Sequence, residues 1–337
     1  MKKIRLLLSR IDRIGDVILS TAIPREVKKK LPGSFIAVLV KKYTKDIYLN
    51  NPYIDEIIVF DEAEKSQDKF WSIVSKIRKY KFTHAFMLLP NERLNWILFF
   101  SGIPKRIGVG RKLYQFLTFT KFVDRKKYIS LRHEADYCMD MVRKIGIEPE
   151  SIEPEIFLSN EEKIFIEGKR NEYLKDHNFI VGINVTSGNS APNLPAAEYK
   201  KITEKLAADK NIKVVITDNK PPKELLNLEK VEYPNLNSPL RKSILNIAAI
   251  DILISASTGP MHIAAALKVK TLSLFCPLTA CSPKLWGPLG NESTILLPKN
   301  EYCSNHCPGD PKICNYSGDS GIDSSRIIAE LNHIIEK

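Results

Sequence analysis

The first candidate for catalysis is a charged loop near the N-terminus. Residues 10–16 read RIDRIGD and directly follow an apolar run at residues 4–8. Ligands of α/β proteins bind at the carboxyl ends of parallel strands, so the loop stands where a site is expected. Gly15 allows a tight turn and the close approach of another molecule, and Asp16 then opens a predicted helix. The other charged residues of the loop are Arg10, Asp12 and Arg13.

Asp16 also has a purely structural explanation. Asp is a favoured helix N-cap, and a helix is predicted to begin at this residue. The spacing alone favours the cap over catalysis, although the loop holds more charge than a cap requires.

The second candidate is a turn of small residues before an alanine-rich helix. Residues 255–267 read SASTGPMHIAAAL, with Pro260 near the first helical position. Free N–H groups and the helix dipole make such a turn a phosphate site. His262 either donates to a phosphate or is a buried histidine bonded to backbone. The residues expected to bind here are Ser257, Thr258, Gly259, Pro260, Met261 and His262.

Two further loops carry polar or metal-ligating residues. Residues 187–195 (SGNSAPNLP) follow the first strand of the second half, where Ser187 and Gly188 either contribute to the same site or form an ordinary polar loop. A zinc site is the alternative to free thiols at Cys303, His306, Cys307 and Cys314. Because no CxxC pair is present, free thiols are favoured and no metal is predicted.

The elements that must position these residues alternate between strands and helices. Short apolar runs rich in β-branched residues predict strands buried on both faces, as in a parallel sheet. Predicted strands are residues 4–8, 35–40, 57–60, 85–89, 180–185, 213–217, 252–255 and 271–275. Predicted helices are residues 16–30, 68–79, 93–100, 134–144, 161–173, 196–207, 222–228, 240–249, 260–267 and 324–336.

This alternation over two halves predicts an α/β protein of two doubly wound, Rossmann-like domains facing a central cleft. The expected domains are residues 1–170 and residues 171–322. A last segment, residues 323–337, can pack back on the first domain. Pro24 is expected to kink or split the first helix.

Composition narrows the class of protein and its partners. The chain has 337 residues and a formal net charge of +12, which favours anionic partners or merely provides a solubilising surface. No apolar run is long enough to span a bilayer. Six cysteines in a chain of this length do not indicate a secreted disulfide scaffold, so a cytoplasmic location is expected.

Several ordered motifs resemble the heptosyltransferase family of bacterial lipopolysaccharide synthesis, glycosyltransferase family 9. The turn and helix at residues 258–267 (TGPMHIAAAL) are the most specific of them. The others are residues 13–17 (RIGDV), 51–57 (NPYIDEI), 275–277 (FCP) and 286–288 (WGP).

The resemblance implies a GT-B fold and metal-independent, inverting transfer from a nucleotide-diphosphate sugar, with no cofactor. It implies that Asp16 is the general base, that Thr258 and Gly259 form the diphosphate-binding turn, and that His262 accompanies them. Arg10, Arg13 and Gly15 are then expected to bind the acceptor. By resemblance the donor is ADP-heptose, and the acceptor is an anionic lipid-linked glycan at the cytoplasmic face of the inner membrane.

Two departures from the family pattern keep other functions open. Ser257 stands where relatives often carry an acid, and no basic residue precedes Pro192. Arg10, Arg13 or Lys284 could replace that base. A related transferase with another sugar or acceptor is one alternative. A non-catalytic protein that binds anions such as nucleic acid is another, although the charges are not interleaved with aromatic residues, which argues against nucleic acid.

Overall fold

The computed structural model describes residues 3–60 and 67–336. The chain divides into two units, Met1–Phe157 and Leu158–Lys337, each with its own sheet and apolar core. In the described part of the chain, no helix is both long and apolar enough to cross a membrane.

The first unit is built on a parallel sheet of six strands in the order β3-β2-β1-β4-β5-β6. The strands are β1 (Arg5–Ser9), β2 (Phe35–Val40), β3 (Glu56–Val59), β4 (His84–Met87), β5 (Lys105–Val109) and β6 (Lys121–Val123). Strand β1 is central, with Leu7 opposite Ala37 on one side and Ala85 on the other. Its near-continuous apolar sequence is buried on both faces, as a parallel sheet covered by helices requires.

Helices connect these strands. They are α1 (Ile14–Ile18), α2 (Ala22–Lys30), α3 (Gln67–Lys79), α4 (Glu92–Phe100), α5 (Leu113–Leu117) and α6 (Glu134–Arg143). The predicted helix at residues 16–30 is thus two helices. The break precedes Pro24, which lies in the first turn of α2, where a missing N–H removes no helical hydrogen bond.

The second unit repeats this architecture. Its six parallel strands lie in the order β12-β11-β10-β7-β8-β9. Read from the β9 edge, with β7 counted as the first strand, this is the same order as in the first sheet. The strands are β7 (Phe179–Asn184), β8 (Ile212–Ile216), β9 (Val231–Glu232), β10 (Ile252–Ala256), β11 (Lys270–Leu274) and β12 (Ser293–Leu296). The helices are α7 (Asn160–Leu174), α8 (Ala196–Ala207), α9 (Leu240–Ala248), α10 (Gly259–Ala266), α11 (Pro283–Trp286), α12 (Asn300–Asn305) and α13 (Ser324–Ile335). The helix predicted at residues 222–228 is only a 3-10 turn, Lys223–Leu225.

The division between the units differs from the predicted boundary at residue 170, which falls inside α7. The end of the first unit is held against α2, where the Glu150 N–H donates to Glu26 at 2.6 Å and Arg25 pairs with Glu155 at 2.8 Å. Helix α13 packs on α8, and its Ile327 and Leu331 join the core of the second unit. Its apolar face therefore packs within that unit, and the possible packing of residues 323–337 on the first domain stays a prediction.

In each sheet, two neighbouring strands are followed along the chain by strands that lie on opposite sides of the pair. These pairs are β1 with β4 and β7 with β10. Doubly wound folds bind ligands beyond the carboxyl ends of such strand pairs. The loops predicted to carry the chemistry follow β1, β7 and β10, so topology places each at one of these two edges.

Candidate active site

Asp16 lies in the first turn of α1, just beyond the end of β1. It is the third helical residue and not the N-cap, which is Arg13, so the capping explanation for Asp16 is wrong. Its Oδ1 accepts a hydrogen bond from Arg10 Nη2 at 2.8 Å. The side chain is one-fifth exposed, so the carboxylate is both fixed and accessible.

Arg10 is the centre of a buried charge cluster. Its side chain is 3% exposed, and three carboxylates surround it. Besides Asp16, its Nε lies 2.9 Å from Asp12 Oδ1 and its Nη2 lies 3.3 Å from Glu134 Oε1. Burial lowers the pKa of Arg10, but Cys138 and these carboxylates raise it by more, to above its ordinary value. The guanidinium therefore stays charged. Because it is buried, it is not placed to bind an acceptor directly, contrary to the expectation from the sequence.

Glu134 joins the cluster from the start of α6, far along the chain. Arg125 Nη1 donates to both of its carboxylate oxygens at 2.9 Å. Two guanidinium groups thus face the carboxylates of Asp12, Asp16 and Glu134. Sequence reasoning missed Glu134 and assigned no role to Arg125, because neither stands in a motif or beside the loop in sequence.

The Asp12 carboxyl is largely buried beside Arg10. Burial raises its pKa from 3.8 to about 6, although Arg10 opposes the rise. The charge of Asp16 adds to the rise, because two nearby carboxylates repel each other. Asp12 and Asp16 therefore share one loop and one arginine but differ in environment.

Arg13 and Gly15 are the remaining residues predicted in this loop. Arg13 is exposed at the start of α1, where it can reach a ligand. Gly15 lies within α1, so the predicted tight turn is wrong, whereas the predicted close approach of another molecule stays a prediction.

The second unit presents the start of α10 at the end of β10. Thr258 is the N-cap, Gly259 is the first helical residue, and Pro260 follows it. The N–H of His262 donates to the Thr258 carbonyl at 3.3 Å, which closes the first turn. Since Pro260 has no N–H, the backbone donors of this end belong to Gly259 and Met261. This is the geometry of an anion site.

Loops after β7 and β10 meet beside this helix end. Thr258 Oγ1 donates to Asn184 Oδ1 at 3.3 Å, and Ser190 Oγ donates to the Ser257 carbonyl at 3.4 Å. Ser190 also bonds the Ser187 carbonyl at 2.6 Å, so the turn that contains Ser187 lies against the Thr258 turn. Gly188 in that turn has φ 54°, a left-handed conformation that favours glycine. The structure thus brings the two predicted loops of the second unit together.

A buried carboxylate that the sequence did not single out anchors the same loops. Asp218, just after β8, accepts hydrogen bonds from the N–H groups of Val185 at 2.8 Å and Thr186 at 2.9 Å. Burial raises its pKa, and these hydrogen bonds oppose the rise. Asp218 therefore fixes the start of the loop that leads to Ser187. The only sequence signal was its position directly after a predicted strand.

The cysteine-rich segment touches the loop after β7, where the Asn193 N–H donates to the Cys314 carbonyl at 3.3 Å. All six cysteines are free, and Tyr302 Oη lies 3.5 Å from Cys314 Sγ. Burial raises the pKa of the Cys276 thiol to about 11, which disfavours the thiolate that metals bind. Across residues 3–60 and 67–336, no group of three or more His, Cys, Asp or Glu side chains is arranged to hold a metal ion.

Comparison with known proteins identifies the family. The model described as Glycosyltransferase family 9 (heptosyltransferase) matches residues 70–310. The chain belongs to glycosyltransferase family 9. It is therefore a glycosyltransferase, as the motifs predicted.

Relatives and solved structures extend the similarity over nearly the whole chain. A Haemophilus influenzae protein named as a glycosyltransferase is 26% identical over 301 residues, covering 85% of this chain and 86% of its own. Lipopolysaccharide heptosyltransferase 2 of Escherichia coli is 21% identical and covers 96% of both chains. The crystal structure of a family 9 glycosyl transferase from Veillonella parvula has a TM-score of 0.80, with 22% identity over 99% of this chain and 97% of its own. These matches confirm the predicted α/β, GT-B fold class.

Proposed function

We propose that this family 9 enzyme transfers a heptose from ADP-heptose to the inner core of a lipopolysaccharide acceptor, with inversion and without a metal. The observation that carries the proposal is the Asp16 carboxylate, held by a buried arginine at the carboxyl end of the central strand. Further support comes from Escherichia coli relatives named as heptosyltransferases that act on lipopolysaccharide. The acceptor is lipid-linked, so the enzyme works at the cytoplasmic face of the inner membrane as a peripheral protein.

Asp16 is the proposed general base. Its Oδ1 is held by Arg10, and its Oδ2 makes no hydrogen bond with the residues that the structure describes. Oδ2 is thus the oxygen that removes the acceptor hydroxyl proton as that hydroxyl attacks the anomeric carbon. Arg10 is a positioning residue, and Glu134 in turn orients Arg10.

The start of α10 is the proposed site for the departing diphosphate. Negative charge grows on the leaving group, and the helix N-terminus meets it with backbone N–H groups and the positive end of its dipole. Ser257 adds a hydroxyl group, and the Thr258 hydroxyl holds the turn in place through its hydrogen bond to Asn184. His262 lies in the same turn, and its side chain is proposed to donate a further hydrogen bond to the diphosphate. Ser187 and Gly188 complete the donor site from the neighbouring loop.

A transferase that uses another sugar or acceptor is the second candidate function. It is favoured by one observation, the absence of a basic residue before Pro192, where relatives often place one. Arg10 cannot replace that base, because its guanidinium is buried among carboxylates.

Nucleotide binding separates these candidates. Thermal unfolding is measured with ADP, UDP, GDP and an oligonucleotide, each at the same concentration. Stabilisation by ADP alone supports the first proposal, and stabilisation by another diphosphate supports the second. A response only to the oligonucleotide would contradict both and would favour a protein that merely binds anions.

A further inference from the structure

Helix α5 in the first unit carries its apolar side chains on the outside. Leu113, Phe116 and Phe119, the last just beyond the helix, are 74%, 79% and 83% exposed. Gln115 and Thr118 between them are buried instead. A surface helix of a globular protein has the opposite arrangement, with apolar residues toward the core.

Polar contacts on the inner side fix this orientation. Gln115 Nε2 donates to the Val109 carbonyl at 3.1 Å, and Gln115 Oε1 accepts from the Lys112 N–H at 2.9 Å. Asn95 Nδ2 donates to Thr118 Oγ1 at 2.7 Å. Turning the helix over would leave these buried polar groups without partners, which is costly. The exposure of the phenylalanines is therefore built into the local structure.

The backbone at Phe119 adds to this conclusion. Its φ of 53° lies in the left-handed region, which is an outlier for a bulky residue. Such conformations persist where the surrounding structure imposes them, and they cluster at functional surfaces. Here the strained turn ends α5 and leaves the Phe119 ring almost fully exposed.

Basic residues surround the apolar group. Lys112, Lys121 and Lys144 are exposed, and none makes an ion pair with the residues described in the structure. Arg111 packs over the Phe122 ring at 4.6 Å and pairs with Asp124 at 2.8 Å. Phe122 and these four basic residues line, together with Phe116 and Phe119, an open groove of about 800 Å³. We call this surface, residues 111–122 with Lys144, the α5 patch.

We propose that the α5 patch docks the protein on an anionic lipid bilayer. Exposed Phe and Leu side chains with a basic surround are the features that hold a helix in the interfacial region of a membrane. The phenylalanines enter the boundary of the acyl chains, and the lysines meet the phosphates of the headgroups. A second copy of the chain fits less well, because a twofold interface would bring the same unpaired lysines against each other.

The location of the patch is compatible with catalysis. Strand β6 is the edge of the first sheet, and β4 and β5 separate it from β1. Three strand spacings amount to about 14 Å. A bilayer against the β6 edge therefore leaves the end of β1, with Asp16, uncovered. The docking surface goes beyond the proposed transfer reaction and does not depend on which sugar is transferred.

Vesicle binding by the full chain tests the proposal. The protein is sedimented with vesicles of phosphatidylethanolamine and phosphatidylglycerol, and with neutral vesicles of phosphatidylcholine, in the absence of any sugar nucleotide. We expect binding to the anionic vesicles that weakens as salt is raised. The double variant Phe116→Ser/Phe119→Ser should bind at least about tenfold more weakly. Each of the single variants Lys112→Gln and Lys121→Gln should weaken binding to the anionic vesicles about fivefold at low salt.

A matched control uses exposed apolar residues of the second unit. Ile164→Ser/Ile313→Ser removes side chains that are also largely exposed, and its vesicle binding should equal that of the unchanged protein. Thermal unfolding checks that both double variants are folded. Absence of binding to anionic vesicles, or an equal loss in the control, overturns the proposal. So does a self-association that Phe116→Ser/Phe119→Ser abolishes while vesicle binding persists, because the patch would then be an interface between copies.

Discussion

Substitution of Asp16 by Asn separates its proposed catalytic role from its structural one. Asn has the same shape and can still accept a hydrogen bond from Arg10, but it cannot remove a proton. General-base catalysis contributes about 10²- to 10⁴-fold, so we expect kcat to fall by that factor, which is about 3 to 5 kcal/mol of transition-state stabilisation.

The structure also predicts a small effect of this substitution on stability. Arg10 keeps two of its three carboxylates, Asp12 and Glu134. The Asp16 side chain is partly exposed, so solvent already weakens the pair. The free energy of unfolding should fall by about 1 kcal/mol, and the affinity for the nucleotide donor should stay within about twofold.

The assay is steady-state transfer with both substrates varied, together with calorimetric binding of ADP to each variant. Asp12→Asn is the matched control, since it removes a different carboxylate from the same arginine. If Asp12→Asn loses as much turnover as Asp16→Asn, the loss comes from the changed charge balance around Arg10 and not from removal of a general base. Turnover of Asp16→Asn within about tenfold of the unchanged enzyme would refute the assignment of the base.

Three other predictions follow from the described contacts. Because the folded-state pKa of Asp12 is raised from 3.8 to about 6, the folded protein binds more protons than the unfolded chain between these values. Stability should therefore fall by up to about 3 kcal/mol as pH rises through that window, and Asp12→Asn should remove that slope in urea titrations. Thr258→Val removes the hydroxyl that bonds Asn184 and should weaken ADP binding by about fivefold in calorimetry, whereas unchanged affinity would exclude a role for that hydroxyl. Asp218→Ala leaves the Val185 and Thr186 N–H groups without their acceptor and should cost about 2 to 4 kcal/mol in chemical unfolding, with a loss under about 1 kcal/mol contradicting the anchoring role.

The central strands of both sheets could be predicted from the sequence because apolar β-branched runs leave a direct signal. The run at residues 35–40 is β2, and the run at residues 213–217 is β8 displaced by one residue. Of the edge strands, β3 was predicted, whereas β6, β9 and β12 escaped prediction because they are short or carry polar and charged residues. Strand β6, which begins with Lys121, is an example.

The positions of the candidate site residues followed from the same logic, but their contacts did not. Asp16 and Thr258 stand just after strands, and topology alone puts them at a binding edge. The pairing of Arg10 with Glu134 joins residues more than a hundred positions apart. No local pattern encodes such a pair, and the same holds for Asp218 and the loop after β7.

The separate cores of the two units have a consequence for synthesis on the ribosome. The network that fixes Asp16 lies wholly within Met1–Phe157, whose last residues are held against α2. The proposed base can therefore be assembled while the rest of the chain is still being translated, since domains fold as units during synthesis. The second unit differs, because Ile327 and Leu331 of its last helix belong to its core. A nascent chain must include α13 before the proposed nucleotide site is stable, so termination before α13 yields a protein that has the proposed base but cannot hold the donor.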